Sequence, residues 1–294
     1  MEMNKKIVYV FGANGQLGSE IINAFRDKSL FPAIGDVRPL TRKDIDFEDS
    51  DFKYKIKGLV DQGEKNKEDI FAVNTVAYHN FNDCEKYPIH AYFYNSCKVK
   101  DLSHCFRNRL FHISTDYVFG GSGKEVYSCC DDVNPINVYG MSKAVGETHV
   151  LHSGGNVIRV AGLYGKKGAS MKGGTNFVKT IYDKLINNEK VLVTDTKTNI
   201  TNASDVGKEI LETINNYSKT TSGHIYHFTD LFDTAWYEVA KYIGTFLCKN
   251  DLVDRREEEL DYKRPYNCTL TCSSEKHMRT WKTALVDFLR GLSK

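Results

Sequence analysis

Ile7-Val8-Tyr9-Val10-Phe11 runs directly into Gly12-Ala13-Asn14-Gly15-Gln16-Leu17-Gly18, and the reading of this stretch decides the fold. A compact run of β-branched and aromatic residues ending at a glycine is the pattern of a fully buried parallel strand. Beyond the glycines, Ile21, Ile22 and Phe25 recur at helical spacing. Strand, tight turn and helix in this order open a doubly wound sheet. The turn lets the backbone approach a diphosphate closely while a helix N-terminus faces the anion. A glycine pattern alone marks only a turn; between a strand and a helix it points to a dinucleotide. Gly12, Asn14, Gly15, Gln16, Leu17 and Gly18 are the candidate cofactor contacts.

Working outward, Ile70–Val76, Arg109–Ser114 and Asn156–Val160 have the same strand character, and Val191–Thr194 and Gly223–Phe228 are shorter strand candidates. Helical segments lie between them, which argues for α/β architecture. The expected fold is a Rossmann-type doubly wound parallel sheet with a smaller C-terminal substrate-binding lobe. Residues 1–163 are read as mainly the dinucleotide-binding domain. Residues 164–294 are read as mainly the substrate lobe, with some segments returning to the sheet. Gly165–Gly174, rich in glycine and lysine, is expected to be a mobile loop able to offer charge to a diphosphate.

The chain has 294 residues, a formal net charge of +2 and no long run of one sign, which argues against a nucleic-acid partner. The mixed cluster Asp254-Arg255-Arg256-Glu257-Glu258-Glu259 reads as a solvated helix face. Eight scattered cysteines show neither C-x-x-C nor zinc-like spacing, so free thiols in a reducing cytoplasm are expected and no metal site is read. Cys129-Cys130 are taken as inert thiols. No secretory segment or membrane-length apolar run is found.

Two residues compete for the adenosine ribose. Asp36 lies near the distance at which an acidic side chain grips the 2′-hydroxyl of NAD, and Arg42 could instead receive the 2′-phosphate of NADP. The expected cofactor is therefore NADPH or NADH. Tyr139 and Lys143 stand four apart, on one helical face. A phenol titrates near pH 10, and a neighbouring ammonium stabilises its phenolate and lets it cycle as a general acid. Upstream, Ser114-Thr115-Asp116-Tyr117-Val118-Phe119 begins at the carboxyl end of a predicted strand, where ligands of open parallel sheets bind. A hydroxyl there can polarise a substrate carbonyl. His79 lies beside this predicted pocket. His224 and His227 are out of phase for a metal pair, and Trp236, Trp281, Tyr237 and Phe288 are read as core.

In order and spacing, GANGQLG, STDYVF and YGMSK resemble the extended short-chain dehydrogenases, and the chain resembles the dTDP-4-dehydrorhamnose reductase family over nearly its whole length. The further matches are Thr41–Phe47, Asn74–His79 with Asp83-Cys84-Glu85, Pro135–Gly140, Asn176–Thr180, Gly223–Phe228 with Trp236, and Arg264-Pro265 with Trp281. The resemblance implies reduction of the 4-keto group of a nucleotide-activated 4-keto-6-deoxyhexose, with Thr115, Tyr139 and Lys143 catalytic and Asp116 in the same pocket. It implies cofactor contacts at Arg42, Asp46, Phe47, Val76, Ala77, Tyr78 and Lys143, and substrate contacts at His79, Phe81, Tyr117 and Asn176. The partner expected is a nucleotide sugar, and a homodimer is compatible with it. Gly120, Cys129, Leu163, Ile200 and Asn82 depart from the family pattern and suggest an altered sugar-contacting surface. The same chemistry on a UDP-linked or acetamido sugar is one alternative. Another, of a different class, is a non-catalytic NADP-binding regulatory subunit similar to methionine adenosyltransferase β. Asp116, where the GDP-fucose epimerase–reductases carry cysteine, argues against their epimerisation.

Overall fold

The structure is a computed structural model and describes residues 5–168, 174–218, 223–256, 263–274 and 278–293. In chain order, the first half alternates β1 (Lys6–Phe11), α1 (Gln16–Ala24), β2 (Ile34–Leu40), α2 (Phe52–Lys65), β3 (Asp69–Asn74), α3 (Phe81–Lys86), α4 (Pro88–Tyr92), α5 (Lys98–Phe106), β4 (Leu110–Thr115), α6 (Val138–His152) and β5 (Asn156–Val160). One π-helical turn, Phe93–Cys97, joins α4 to α5.

The apolar continuity of β1 has a plain cause: both of its faces are covered. Alternate side chains point to opposite sides of a strand. Val8 and Val10 pack with Leu17 and Ile21 of α1 and Phe25 at its C-terminal cap, and with Val206 and Ile210 of the Ala203–Asn215 helix. Ile7, Tyr9 and Phe11 pack on the other side with Phe52 and Ile56 of α2 and Leu102 and Phe106 of α5. The sheet runs Ile225–His227, β5, β4, β3, β1, β2, with every pairing parallel. Chain direction across the sheet reverses between β1 and β3, and the crevice outside their carboxyl ends is where such sheets bind ligands. Pro39 lies within β2, tolerated there because β2 is an edge strand.

A separate apolar cluster ties the helices Phe177–Ile186, Trp236–Leu247 and Trp281–Leu292 together through Val178, Ile181, Val239, Ile243, Trp281 and Leu285. Val191–Val193 pairs in parallel with Val253–Arg255 at its edge. The expectation of a helix face at 254–259 is thus corrected at its start. Asp254 and Arg255 are in a strand, because Val253 is buried in this cluster and draws the segment alongside Val191. Residues 257–259 lie outside the described residues, as do residues 169–173 of the expected mobile loop. No helix among the described residues is long and apolar enough to cross a membrane.

Candidate active site

The glycine turn sits at the carboxyl end of β1. Gly12 has φ +78°, a conformation side chains disfavour, and a Cβ there would lie 2.7 Å from Thr75 Oγ1. A Cβ on Gly18 would lie 2.3 Å from the Gly12 carbonyl oxygen, so α1 rests directly on the turn. Gly15 caps α1 without any side-chain hydrogen bond, which leaves the first helical N–H groups for an anion. A cavity of about 1030 Å³ opens in front of them. Gly12, Asn14, Gly15, Gln16 and Leu17 line it, as do Arg42, Asp46, Phe47, Val76, Ala77 and Tyr78. Gly18 does not; its part is the close packing of helix on turn.

The π-turn fixes the next wall. It turns Asn95, wholly buried, toward Tyr78, whose N–H donates to Asn95 Oδ1 at 2.8 Å and whose carbonyl accepts from Nδ2 at 2.9 Å. Asn95 Nδ2 also reaches Ser142 Oγ on α6 at 3.0 Å, locking the Val76–Tyr78 segment to the helix that carries Tyr139 and Lys143. That helix is capped by Asn137, whose side chain accepts from the Gly140 N–H at 2.8 Å.

Thr115, Asp116, Tyr139 and Lys143 converge on the same cavity. Thr115 donates to Asp116 Oδ1 at 3.0 Å. Burial pushes the Asp116 carboxyl up to about 7, against the hydrogen bond from Thr115 and the charge of Arg264. Burial also raises the Tyr139 phenol above its ordinary value; a hydrogen bond with Thr115 opposes this and the nearby Asp116 adds to it. Lys143 is 1% exposed, and its Nζ donates to the Ile113 carbonyl at 2.5 Å. Burial brings it down to about 7 although Glu147, one turn along α6, favours the ammonium.

The far wall is aromatic and cationic. Phe81 stacks on Tyr117 at 4.9 Å and meets Tyr139 edge-on at 5.2 Å. Arg264 Nε donates to Tyr117 Oη at 2.6 Å. Phe177 and Trp236 pack at 4.4 Å, with the Arg264 guanidinium 5.9 Å from the Trp236 ring. The same cavity thus offers flat rings and a cation, the chemistry that a nucleotide base and an anion favour. Among the described residues, no three His, Cys, Asp or Glu side chains stand together as a metal site.

The family model described as the RmlD substrate binding domain matches residues 5–293. The chain belongs to that family. The dTDP-4-keto-6-deoxy-D-glucose reductase of Streptomyces niveus is 28% identical to it over 243 residues, 79% of this chain and 75% of the relative. The dTDP-4-dehydrorhamnose reductase of Escherichia coli is 26% identical and covers 98% of this chain and 96% of its own. Among solved structures, a dTDP-4-dehydrorhamnose reductase from Clostridium acetobutylicum superposes with a TM-score of 0.82 at 26% identity, over 98% of this chain and all of the other. The Rossmann-type α/β fold read from the sequence is the fold of this RmlD-family member.

Several expectations change at the site. Asp36 does not line the cavity: it pairs with Ile7 in the β1–β2 register and accepts from Arg38 Nε at 3.2 Å, short of the strand's carboxyl end at Leu40. β2 runs on to Leu40, so Arg42 is the second residue beyond it. Trp236 packs half-buried against the Val239 cluster and also lines the cavity, whereas Trp281 is 6% exposed and belongs to the core. Asn176 lines the cavity, but its amide is committed at both ends, to the Lys179 N–H at 3.0 Å and the Gly165 carbonyl at 2.8 Å. His79, Phe81 and Tyr117 line the cavity as expected. Of the five departures from the family pattern, only Leu163 borders it; Gly120, Cys129, Ile200 and Asn82 do not. Sequence reading also missed Thr198, Phe177 and Arg264 as cavity residues, and for Arg264 the Arg-Pro pair was the available signal.

Proposed function

We propose that the chain reduces the 4-keto group of a nucleotide-linked 4-keto-6-deoxyhexose with NAD(P)H, as the names of its relatives indicate. The observation that carries this is the convergence of Thr115, Asp116, Tyr139 and Lys143 on one cavity that the glycine turn, the Phe177 and Trp236 rings and Arg264 also line. The residues present fit a dinucleotide: Gly12 and Gly18 leave no room for a side chain, and the N-terminus of α1 is free to meet the diphosphate. When bound, that cofactor supplies the hydride for the carbonyl carbon. Tyr139 gives its proton to the carbonyl oxygen, leaving a secondary alcohol. Thr115 orients the oxygen, and Lys143 as an ammonium steadies the tyrosinate. Asp116, buried and poised near neutrality, holds a sugar hydroxyl as donor or acceptor. His79, Phe81 and Tyr117 border the sugar, Trp236 and Phe177 receive the base, and Arg264 meets the substrate diphosphate. Asn176 holds the substrate wall in shape.

The test is an assay of reduced-nicotinamide loss with dTDP- and UDP-linked 4-keto-6-deoxyhexoses, and calorimetry of the same sugars bound to the enzyme. Turnover of the dTDP substrate is expected. Neither turnover nor binding of any of them overturns the reading.

Arg42 is held by Asp46 at 2.8 Å and Glu48 at 3.0 Å, and its side chain is 69% exposed. A 2′-phosphate must compete with both carboxylates in water, so its gain lies at the low end for a charged hydrogen bond. Arg42→Ala is expected to weaken NADPH by roughly tenfold and NADH hardly at all. Equal loss for both cofactors, measured by fluorescence titration, would remove Arg42 from the 2′-position.

A further inference from the structure

Behind Tyr139 lies a polar chain that the scheme above does not use. His112, in the middle of β4, is wholly buried between Asn74 at the end of β3 and Lys143 on α6. Asn74 Nδ2 stands 3.1 Å from His112 Nδ1, and Lys143 Nζ stands 3.1 Å from His112 Nε2. The proton positions follow from the Asn74 amide. The Val76 N–H donates to Asn74 Oδ1 at 3.1 Å, so the amide oxygen faces Val76 and the NH₂ faces the imidazole. An NH₂ group only donates. His112 Nδ1 must therefore accept, and a neutral ring then carries its proton on Nε2. That N–H points at Lys143 Nζ, which can accept only as an uncharged amine. An ammonium would set donor against donor at one end of the ring or the other, around a ring that is wholly buried.

We propose that His112, oriented by Asn74, is a positioning residue that holds Lys143 as a free amine in the ligand-free enzyme. Burial favours the same state, lowering Lys143 to about 7 and His112 well below the ordinary histidine range. The other groups around the pair are accounted for. Glu147 on α6 favours the ammonium but is committed to Arg159 of β5 at 3.0 and 2.7 Å. Asp116, beyond β4, and Cys84 of α3 act on Tyr139, one turn before Lys143.

The consequence rests on the ketoreductase reading: if the ammonium is the working form beside Tyr139, filling the cofactor site must bring a proton in. Lys143 Nζ takes that proton from solvent on its lone pair, so the hydrogen bond it accepted from His112 Nε2–H breaks and the ammonium turns away from the ring.

The direct test needs no variant and no cofactor. ¹⁵N spectra of the ligand-free protein with labelled histidine and lysine should show one non-titrating ring protonated on Nε2, and at about pH 8 one lysine already in the amine form. Lys143→Arg identifies that lysine by its loss. In His112→Gln, the amide oxygen can turn to Lys143, and the lysine midpoint should rise by about one to two pH units. A His112 ring protonated on Nδ1, or a Lys143 still charged at about pH 8, overturns the proposal. Separately, calorimetry of NADPH binding in buffers of different ionisation enthalpy should show proton uptake in the wild type and less in His112→Gln. Heat of binding without uptake in the wild type counts against the proposal, whereas no heat at all counts against the cofactor reading and leaves the spectra to decide.

Discussion

Replacing Tyr139 with phenylalanine is expected to slow carbonyl reduction by about 10²–10⁴-fold while leaving dinucleotide affinity near its starting value. The ring itself is structural, packed edge-on to Phe81 at 5.2 Å and to Tyr117 at 6.0 Å, and phenylalanine keeps both contacts. What is lost is the one hydroxyl that combines a hydrogen bond to Thr115 with a place beside the buried Asp116. Water cannot substitute readily, because Thr115 and Asp116 are 6% and 5% exposed. Single-turnover rates with saturating NADPH and keto-sugar, together with a cofactor titration, separate the two effects. Near wild-type turnover would take the proton-transfer role away from Tyr139, and Thr115 or Asp116 would have to carry it.

The second large effect concerns stability. Glu147→Ala is expected to cost about 3–5 kcal/mol, because it leaves the Arg159 guanidinium without its carboxylate in the protein interior. The Arg159 side chain is 2% exposed and that of Glu147 4%, and the pair is bidentate at 3.0 and 2.7 Å. The other surroundings of Arg159 are the Phe119 ring, 5.0 Å away, and His227, whose ionisation is suppressed chiefly by burial and then by this arginine. Neither can take over a full negative charge. Removing both partners, as in Glu147→Leu with Arg159→Met, should restore most of the loss, since burying two ions is itself costly. Urea unfolding of the two single variants and the double one checks this. A loss under about 1 kcal/mol for Glu147→Ala would mean that water reaches the guanidinium.

What was legible in the sequence was local. The β1 strand, the glycine turn and the start of α1 are contiguous, and each part constrains the next, so the reading survived intact. Tyr139 and Lys143 are one helical turn apart, which fixes their common face without tertiary information. Asp36 and Arg42 stayed in competition because the choice depended on where β2 stopped, and the edge position that lets Pro39 remain in the strand is a property of the whole sheet. Trp236 begins a helix whose later residues Val239 and Ile243 are buried, and nothing local shows that its own ring turns to the cavity. The Asn74–His112–Lys143 chain was invisible for a stronger reason. Its members come from a strand end, a strand interior and a helix, and Asn74 and His112 meet through the β3–β4 register that sets them side by side.

The strand Ile225–His227 completes the sheet against β5, yet the chain between them builds the cluster around Val178, Val239 and Trp281 only in part. Until that strand is available, β5 presents an open edge: the Val157 N–H lacks the His224 carbonyl, and the Arg159 carbonyl lacks the Phe228 N–H. During synthesis, the half of the chain that carries β1–β5 therefore leaves the ribosome with a sticky margin that only a distant segment can cover. Closing so long a loop adds little free-energy cost compared with a shorter one, but it delays the contacts that reward it. The interval before His227 emerges is the one in which this edge stays uncovered and open to pairing with another chain.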